Sequence, residues 1–358
     1  MTMKRNSVHI FAKHGKCLLC CVLLCFLAQS CYEDPVVKVP SVDEPEALYP
    51  ISLSASSSEM LSRAIVADDA GLQATNLGVF AYKEVADNDP VLVFNNVKLE
   101  YTDGAWTYSP LKYWDRTATY YFVSYSPWNE NENNENIEYS EEFHQLTIKN
   151  IPNWQAIDSD AKDYVVANDF GAAEGRYITP NGAMPVDLGF KHILCQLEVR
   201  VLKNPFLMNT YTLSGISYTN VPTVGESATY LYSDPTRNNE AGAPMEGNEY
   251  MRVPINTNDA QSMATPNAEI PGDPAQAAAT TIKHLVAPFS ADFNITLNYK
   301  INDGDATSVT VDAGLDQLES NNRYVITLTF NSGADVSAEV KVMDWVEEDV
   351  ETDDKYNW

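Results

Sequence analysis

The sequence predicts an all-β protein of the sandwich type, and three observations carry that prediction. Tyr, Thr and Val recur throughout, with 20 Tyr in 358 residues, and such side chains suit the pleated, half-buried surface of a strand. Apolar and polar residues alternate in short runs separated by turn residues, at the spacing of a β-sandwich. No stretch sustains the 3.6-residue apolar period of an amphipathic helix.

Residues 1–30 read as a secretion signal. Lys4, Arg5, Lys13 and Lys16 precede an apolar run from Cys17 to Ala28, which ends at Ala28-Gln29-Ser30-Cys31. A basic start, a short apolar run and small residues before the cut are what a signal peptidase reads. The apolar run is about a dozen residues, short of the ~20 that cross a bilayer. Cys31 directly after the cut is the position at which bacterial lipoproteins carry their acyl chains, which would tether the mature protein to a membrane. Lipoprotein signals usually have Leu where this chain has Ala28, so an ordinary signal peptidase can also cut this bond. Tyr32-Glu33-Asp34 resembles the acidic export tag of surface lipoproteins in Bacteroides-type bacteria, and a surface lipoprotein is the favoured reading.

Residues 31–50 carry prolines at 35, 40, 45 and 50 and read as an extended, lipid-anchored tether. Ordered structure begins with Ile51-Ser52-Leu53-Ser54-Ala55-Ser56, whose strict alternation puts Ile51, Leu53 and Ala55 on one face of a strand. A loop from Ser57 to Gly71 follows. Strands are expected at 77–82, 91–101 and 105–108, the last two joined by a turn in which Asp103-Gly104 supplies positive φ. Further strands follow at 111–114, 119–125, 143–148 and 164–167, with 129–136 as a solvated loop of alternating Asn and Glu.

A second series starts with one long strand, 188–201, which places a domain boundary near residue 185. The expected domains are therefore 51–185 and 186–345, each large enough for a core. The second holds strands at 212–218, 228–232, 250–255, 281–287, 293–301, 307–311, 323–330 and 336–345. Apart from 250–255, the stretch 233–280 is rich in Pro, Ala, Asn and Gly and reads as too polar for core. Asn302-Asp303-Gly304-Asp305 is a hairpin turn.

Composition excludes several functions. The formal net charge is −27, and removing the four basic residues of the leader leaves 19 basic against 50 acidic residues, near −31. Nucleic acid is therefore not an expected partner, since binding a polyanion takes clustered Lys and Arg. Only Cys31 and Cys195 remain after the leader is cut, so no disulfide framework exists, and Cys195 reads as a core thiol. No G-x-S-x-G, phosphate-binding loop, H-E-x-x-H or dinucleotide fingerprint occurs. His192 and Cys195 are three apart in an expected strand and so face opposite ways. Acidic groups at 158–163 and 303–305 lack the spacing of a calcium loop. No catalytic residue, metal ligand or cofactor is expected, and the chain reads as a non-enzyme.

Two features point to assembly. Ser62-Arg63-Ala64 sits in the Ser-rich loop after the first strand, where a trypsin-like cut between Arg63 and Ala64 would detach the tether and make the Ile51 to Ser56 strand removable. Loss of a strand leaves unpaired backbone and an apolar groove that another strand can fill. The segment 346–358 alternates, with Val346, Val350, Tyr356 and Trp358 on one face, and spans ~43 Å if extended at about 3.3 Å per residue.

Together these residues resemble the fimbrillin family of Bacteroides-type bacteria, the subunits of protease-assembled pili. The resemblance runs through Ile51-x-Leu53, Ser62-Arg63-Ala64, Leu77-Gly78-Val79-Phe80-Ala81-Tyr82, Tyr113-Trp114 and Tyr120 to Pro127. It continues through Phe190-Lys191-His192-Ile193-Leu194, Asn322 to Leu328 and Val342-x-x-Trp345. It implies two transthyretin-like, Greek-key β-sandwiches and export to the outer membrane as a lipoprotein on Cys31. It further implies cleavage after Arg63 and polymerisation with other copies or related pilins by donor-strand exchange through 346–358. The alternative is a monomeric outer-membrane lipoprotein that binds glycans through exposed aromatics such as Trp106, Trp114, Tyr120, Tyr121 and Trp128.

Overall fold

The structure, a computed structural model, describes residues 49–57, 69–86, 89–130, 136–140, 145–157, 161–179, 182–233, 249–256, 259–263 and 267–344. These residues form an all-β architecture of four larger sheets and several two-stranded ladders.

One sheet is antiparallel throughout and runs in the order Lys191–His192, Val165–Ala173, Ala118–Ser126, Leu77–Val85, Val91–Thr102, Ala105–Thr107. Its middle strands read as near-continuous apolar runs because both faces are covered. Val79, Ala81, Phe94, Tyr120 and Phe122 face one core with Leu72, Val186, Leu188 and Phe190. Phe80, Val123, Tyr125 and Val166 face a second core with Leu146, Ile148, Ile151 and Tyr230. That second core is shared with a four-stranded sheet ordered Glu249–Arg252, Ser227–Tyr232, Gln145–Pro152, Ile137–Ser140.

The third core is a sandwich of two sheets. One is ordered Asp335–Asp344, Asn322–Ser332, Cys195–Lys203, Thr281–Val286, Trp154–Ala156, and the other centres on Tyr211–Thr219, Asn294–Ile301 and Thr307–Asp312. Leu197, Val199, Ile326, Leu328 and Phe330 meet Tyr211, Leu213, Ile295, Leu297 and Tyr299 between them. Cys195–Lys203 runs parallel to Asn322–Ser332, and a parallel pair needs a long crossover rather than a tight turn. Pairing also crosses residue 185: Trp154–Ala156 lies beside Thr281–Val286, and Gln145–Pro152 beside Ser227–Tyr232.

The hairpins form at the expected turns, with Asp103 at φ 52°, Gly104 at 84° and Asn302 at 52°. Four expectations need correction. The single strand over 188–201 is three strands, Val186–Gly189, Lys191–His192 and Cys195–Lys203, each in a different ladder. Phe190, Ile193 and Leu194 are apolar, so the run reads as unbroken, yet they turn into two different cores. The loop to Gly71 ends in a short helix, Asp69–Gln73, whose Leu72 is buried. Residues 111–114 contribute one isolated bridge at Tyr113 rather than a strand. The polar-looking 233–280 region supplies core after all, since Ile270 and Ala277 are buried.

Cys195 is a core thiol whose Sγ contacts the Val286 carbonyl at 3.2 Å, and burial pushes its pKa up. His192 is engaged elsewhere: its Nδ1 lies 2.9 Å from Asp163 Oδ1, with both side chains out of solvent.

Two outcomes follow from this packing. A Cβ on Gly78 would stand 2.2 Å from the Tyr125 ring and 2.8 Å from Asn96 Oδ1, and Tyr125 is fully buried and hydrogen-bonded to Asn96. Gly78→Ala is expected to destabilise by roughly 1–3 kcal/mol, read as a lower urea midpoint. Burial of His284 lowers its pKa from 6.5 to about 4, beside Trp154, whose ring it meets edge-on at 5.5 Å. The fold therefore favours the neutral ring: this stability is present above pH 6.5 and drains away as pH falls through about 4, by up to about 3 kcal/mol. His284→Phe should flatten the stability profile across that window, measured by urea unfolding at stepped pH.

Candidate functional site: the slot around the first strand

The first strand is bonded on both sides. Toward one wall, Ile51 N–H donates to the Lys112 carbonyl at 2.8 Å and Trp114 N–H donates to that of Tyr49 at 3.0 Å, around an antiparallel bridge between Pro50 and Tyr113. Toward the other, Leu53–Ser56 runs parallel to Val186–Gly189, and the ladder is extended by Val186 N–H to Ser52 O and Phe190 N–H to Ser56 O. A segment with both backbone edges occupied fills a slot.

The floor of the slot is apolar, which is why alternation in 51–55 selects a strand here. Ile51 is 1% and Leu53 5% exposed, and Ala55 is half-buried against the same core. Trp114 closes one end, stacked on Tyr177 at 5.5 Å and edge-on to Tyr120 at 4.9 Å. Fully burying an aliphatic side chain is worth about 1.5–3 kcal/mol, so Ile51 and Leu53 account for much of the strand's affinity for its slot.

Side chains from the walls hold the strand's main chain. Tyr108 O–H donates to the Ile51 carbonyl at 2.7 Å and accepts from Lys112 N–H at 3.2 Å, so it bridges strand and wall; burial raises its pKa. Trp106 Nε1–H donates to the Ala55 carbonyl at 3.2 Å. At the rim, Ser54 and Ser56 hydroxyls donate to Asp187 Oδ1 at 3.2 and 3.3 Å. Ser57 gives Asp69 Oδ1 two hydrogen bonds, from its hydroxyl at 2.7 Å and its N–H at 2.8 Å, and these hold the Asp69 pKa below the usual range. One wall is braced by Asp115, whose pKa is lowered to about 2 by hydrogen bonds from Lys83 at 2.7 Å and from Thr117.

The structure thus brings Ile51, Leu53 and Ala55 together on one floor. Cys31, Arg63, Ala64, Val346, Val350, Tyr356 and Trp358 lie outside the described residues. Sequence reasoning missed Trp106, Tyr108, Asp69 and Asp187 as holders of the strand. The alternation of Trp106 and Tyr108 just after the Asp103-Gly104 turn was the available sign that two aromatics share one inward face. Among the described residues no cluster of His, Cys, Asp and Glu is arranged to hold a metal ion.

The description of the fimbrillin-like family matches residues 62–345, and the chain belongs to that family. No curated protein matches it. Similar solved structures include a cell adhesion protein assigned as such in Bacteroides uniformis, with 17% identity over 83% of this chain and 99% of that one, at a TM-score of 0.49. A fimbrial protein from Bacteroides vulgatus shares 14% identity over 83% and 99%, at 0.48. The tip fimbrial protein Mfa3 from Porphyromonas gingivalis, with a C-terminal truncation, shares 9% over 84% and 100%, at 0.42.

Hydrogen bonds to a charged acceptor contribute about 1.5–3 kcal/mol, so Asp69→Ala should free the end of the strand. Hydrogen exchange at the Ser57 amide is expected to speed up at least tenfold while that of Leu197 stays unchanged. Because the Asp69 pKa is depressed in the fold, the tie is present above pH 3.8 and is lost only as pH falls through the lower native value.

Proposed function

We propose that the chain is a structural subunit of a cell-surface fimbria, supporting adhesion, that is exported as a lipoprotein on Cys31 and built of two transthyretin-like sandwiches dividing near residue 185. A trypsin-like protease cuts between Arg63 and Ala64, and the Ile51, Leu53, Ala55 strand then leaves its slot. The 346–358 extension of another copy or of a related pilin takes its place, with Val346, Val350, Tyr356 and Trp358 as donor-strand residues. Membership of the fimbrillin-like family supports a fimbrial role. The outer membrane is a partner only through the lipid, before processing.

One observation carries the reading: the strand in the slot precedes Arg63, so after the cut only non-covalent contacts hold it. What a replacement must supply is an extended backbone with apolar side chains two apart, and Tyr356 and Trp358 have the spacing of Ile51 and Leu53. The glycan reading needs its aromatics on the surface. Trp114 and Tyr120 are instead buried, and the indole N–H groups of Trp106 and Trp128 are spent on the Ala55 and Asn96 carbonyls.

The test is electrophoresis of unboiled full-length protein before and after limited trypsin treatment. Wild type should give an SDS-resistant ladder only after a cut that leaves Ala64 as the new terminus. Arg63→Ala, and separately deletion of 346–358, should abolish the ladder and leave the melting temperature of the uncut protein within about 2 °C. A ladder from either variant, or a monomer unfolded by the deletion, would refute strand exchange.

A further inference from the structure

One side of the five-stranded sheet meets the sandwich core, and the other carries charge. Ladder register sets Lys341, Val325, Glu198 and Lys283 abreast across four strands. Met343, Arg323 and Gln196 form the row on one side of them, and Glu339, Thr327 and Arg200 the row on the other. Residues two apart on a strand share a face. The intervening Leu197, Val199, Tyr324 and Ile326 belong to the sandwich core, so these three rows lie on the far face. Val325 and Met343 are buried there, and what the face offers an occupant is charge.

Three cations converge on one carboxylate. Arg200 Nε donates to Glu198 Oε1 at 2.7 Å, Arg323 Nη2 donates to Oε2 at 2.8 Å, and Lys283 Nζ stands 3.3 Å from Oε2. Burial pushes the Glu198 pKa up, but the hydrogen bonds from the two arginines outweigh it and hold the group below its usual range. Exposed Lys341 lies in the same row and exposed Glu339 in the next, so the three rows carry four cations against two carboxylates. A net positive face in a chain of formal charge −27 fits an anionic occupant. The chain supplies one close by. Asp335–Asp344 is the edge strand of this sheet and ends opposite Asn322, and Glu347, Glu348, Asp349, Glu351, Asp353 and Asp354 follow in sequence. Lys283 is three strands in from that edge, ~15 Å at the usual strand spacing, and the ten residues 345–354 reach about 33 Å when extended.

We propose that this far face holds the acidic stretch 347–354 of its own chain in the uncut subunit, and so restrains the 346–358 segment from entering a slot early. The restraint rests on the strand-exchange reading; the contact itself does not. Arg200, Arg323 and Lys283 are partly open to solvent, at 22%, 12% and 47% of their side chains. Ion pairs made there are weak and screened by salt, which suits a contact that is given up when a slot opens.

The test is zero-length carbodiimide cross-linking of the uncut full-length protein, read by mass spectrometry. The reagent joins a lysine amine to a carboxylate that touches it, and Lys283 is the decisive lysine because it is remote from 347–354 in sequence. With isotope-labelled and unlabelled protein mixed, a bond from Lys283 to a carboxylate of 347–354 within one copy is expected. Absence of that bond overturns the proposal. A mixed-isotope product alone would assign the face to the segment of a second copy, and Lys283 bonded only to Asp158 or Asp160 would assign it to the stretch after Trp154–Ala156; either overturns the proposal. Separately, Lys283→Gln with Lys341→Gln should speed trypsin-dependent ladder formation at least threefold with an unchanged melting temperature. Raised salt should speed the wild type likewise, an arm that needs no substitution. If the Lys283 bond forms and neither change alters the rate, the restraint is wrong and the fimbrial reading stands. If the bond forms and wild type gives no ladder, the contact stands and strand exchange falls.

Discussion

The stretch from Val186 to Lys203 spends its backbone hydrogen bonds in three ladders in succession, and the rest of the molecule is arranged around it. Val186–Gly189 forms one wall of the first-strand slot, Lys191–His192 extends the six-stranded sheet, and Cys195–Lys203 is the middle strand of the five-stranded sheet. A buried strand must pair its main-chain groups at every step, so a chain that changes ladders must bend where its side chains still find core. Phe190 fills the core beneath the slot, Ile193 and Leu194 fill the middle core, and Cys195 and Leu197 begin the sandwich core. Asp163 meets His192 at the second bend, where both side chains are fully buried. One short stretch thus contributes side chains to all three cores.

The slot's two walls are anchored outside the slot: one by Lys83–Asp115 and the Trp114–Tyr177 stack, the other by the continuation of Val186–Gly189 into the six-stranded sheet. Ile51 and Leu53 add apolar burial, and Leu53–Ser56 is also the ladder partner of Val186–Gly189, so the strand satisfies main-chain groups of that wall. The groups that touch the strand's carbonyls, Tyr108 and Trp106, are amphipathic aromatics. Each can cover apolar floor and still present one donor to whatever backbone lies there, and because they read main chain they do not select side chains.

Legibility in the sequence followed the physics of each signal. Alternation placed Ile51, Leu53 and Ala55 on one face, and Asp103-Gly104 and Asn302 marked turns, because period and positive φ are local properties. The breaks at Phe190 and Ile193 were invisible, since an apolar residue that bends into a different core looks the same as one that continues a strand. Trp154–Ala156 was missed for the opposite reason: three residues show no period, and only the partner Thr281–Val286, far along the chain, makes them a strand. Of the slot, the occupant was readable and the holders were not. Asp69 and Asp187 are two among 50 acidic residues, and only folding brings them to the serines that single them out.

Charge sets the terms on which copies of this chain meet. At a formal −27, neighbouring copies repel until screening, over a Debye length of about 8 Å at physiological salt, removes the long-range part. Contacts that survive this are made by groups without charge, and the slot offers such groups: main-chain donors and acceptors on both walls and an apolar floor between them. Asp69 and Asp187 stand at the rim and are met by serine hydroxyls and an amide. In the exchange proposed above, the acidic residues of 347–354 would meet like charge at that rim, and Val346, Val350, Tyr356 and Trp358 are the side chains of the segment that an apolar floor would take without burying a charge.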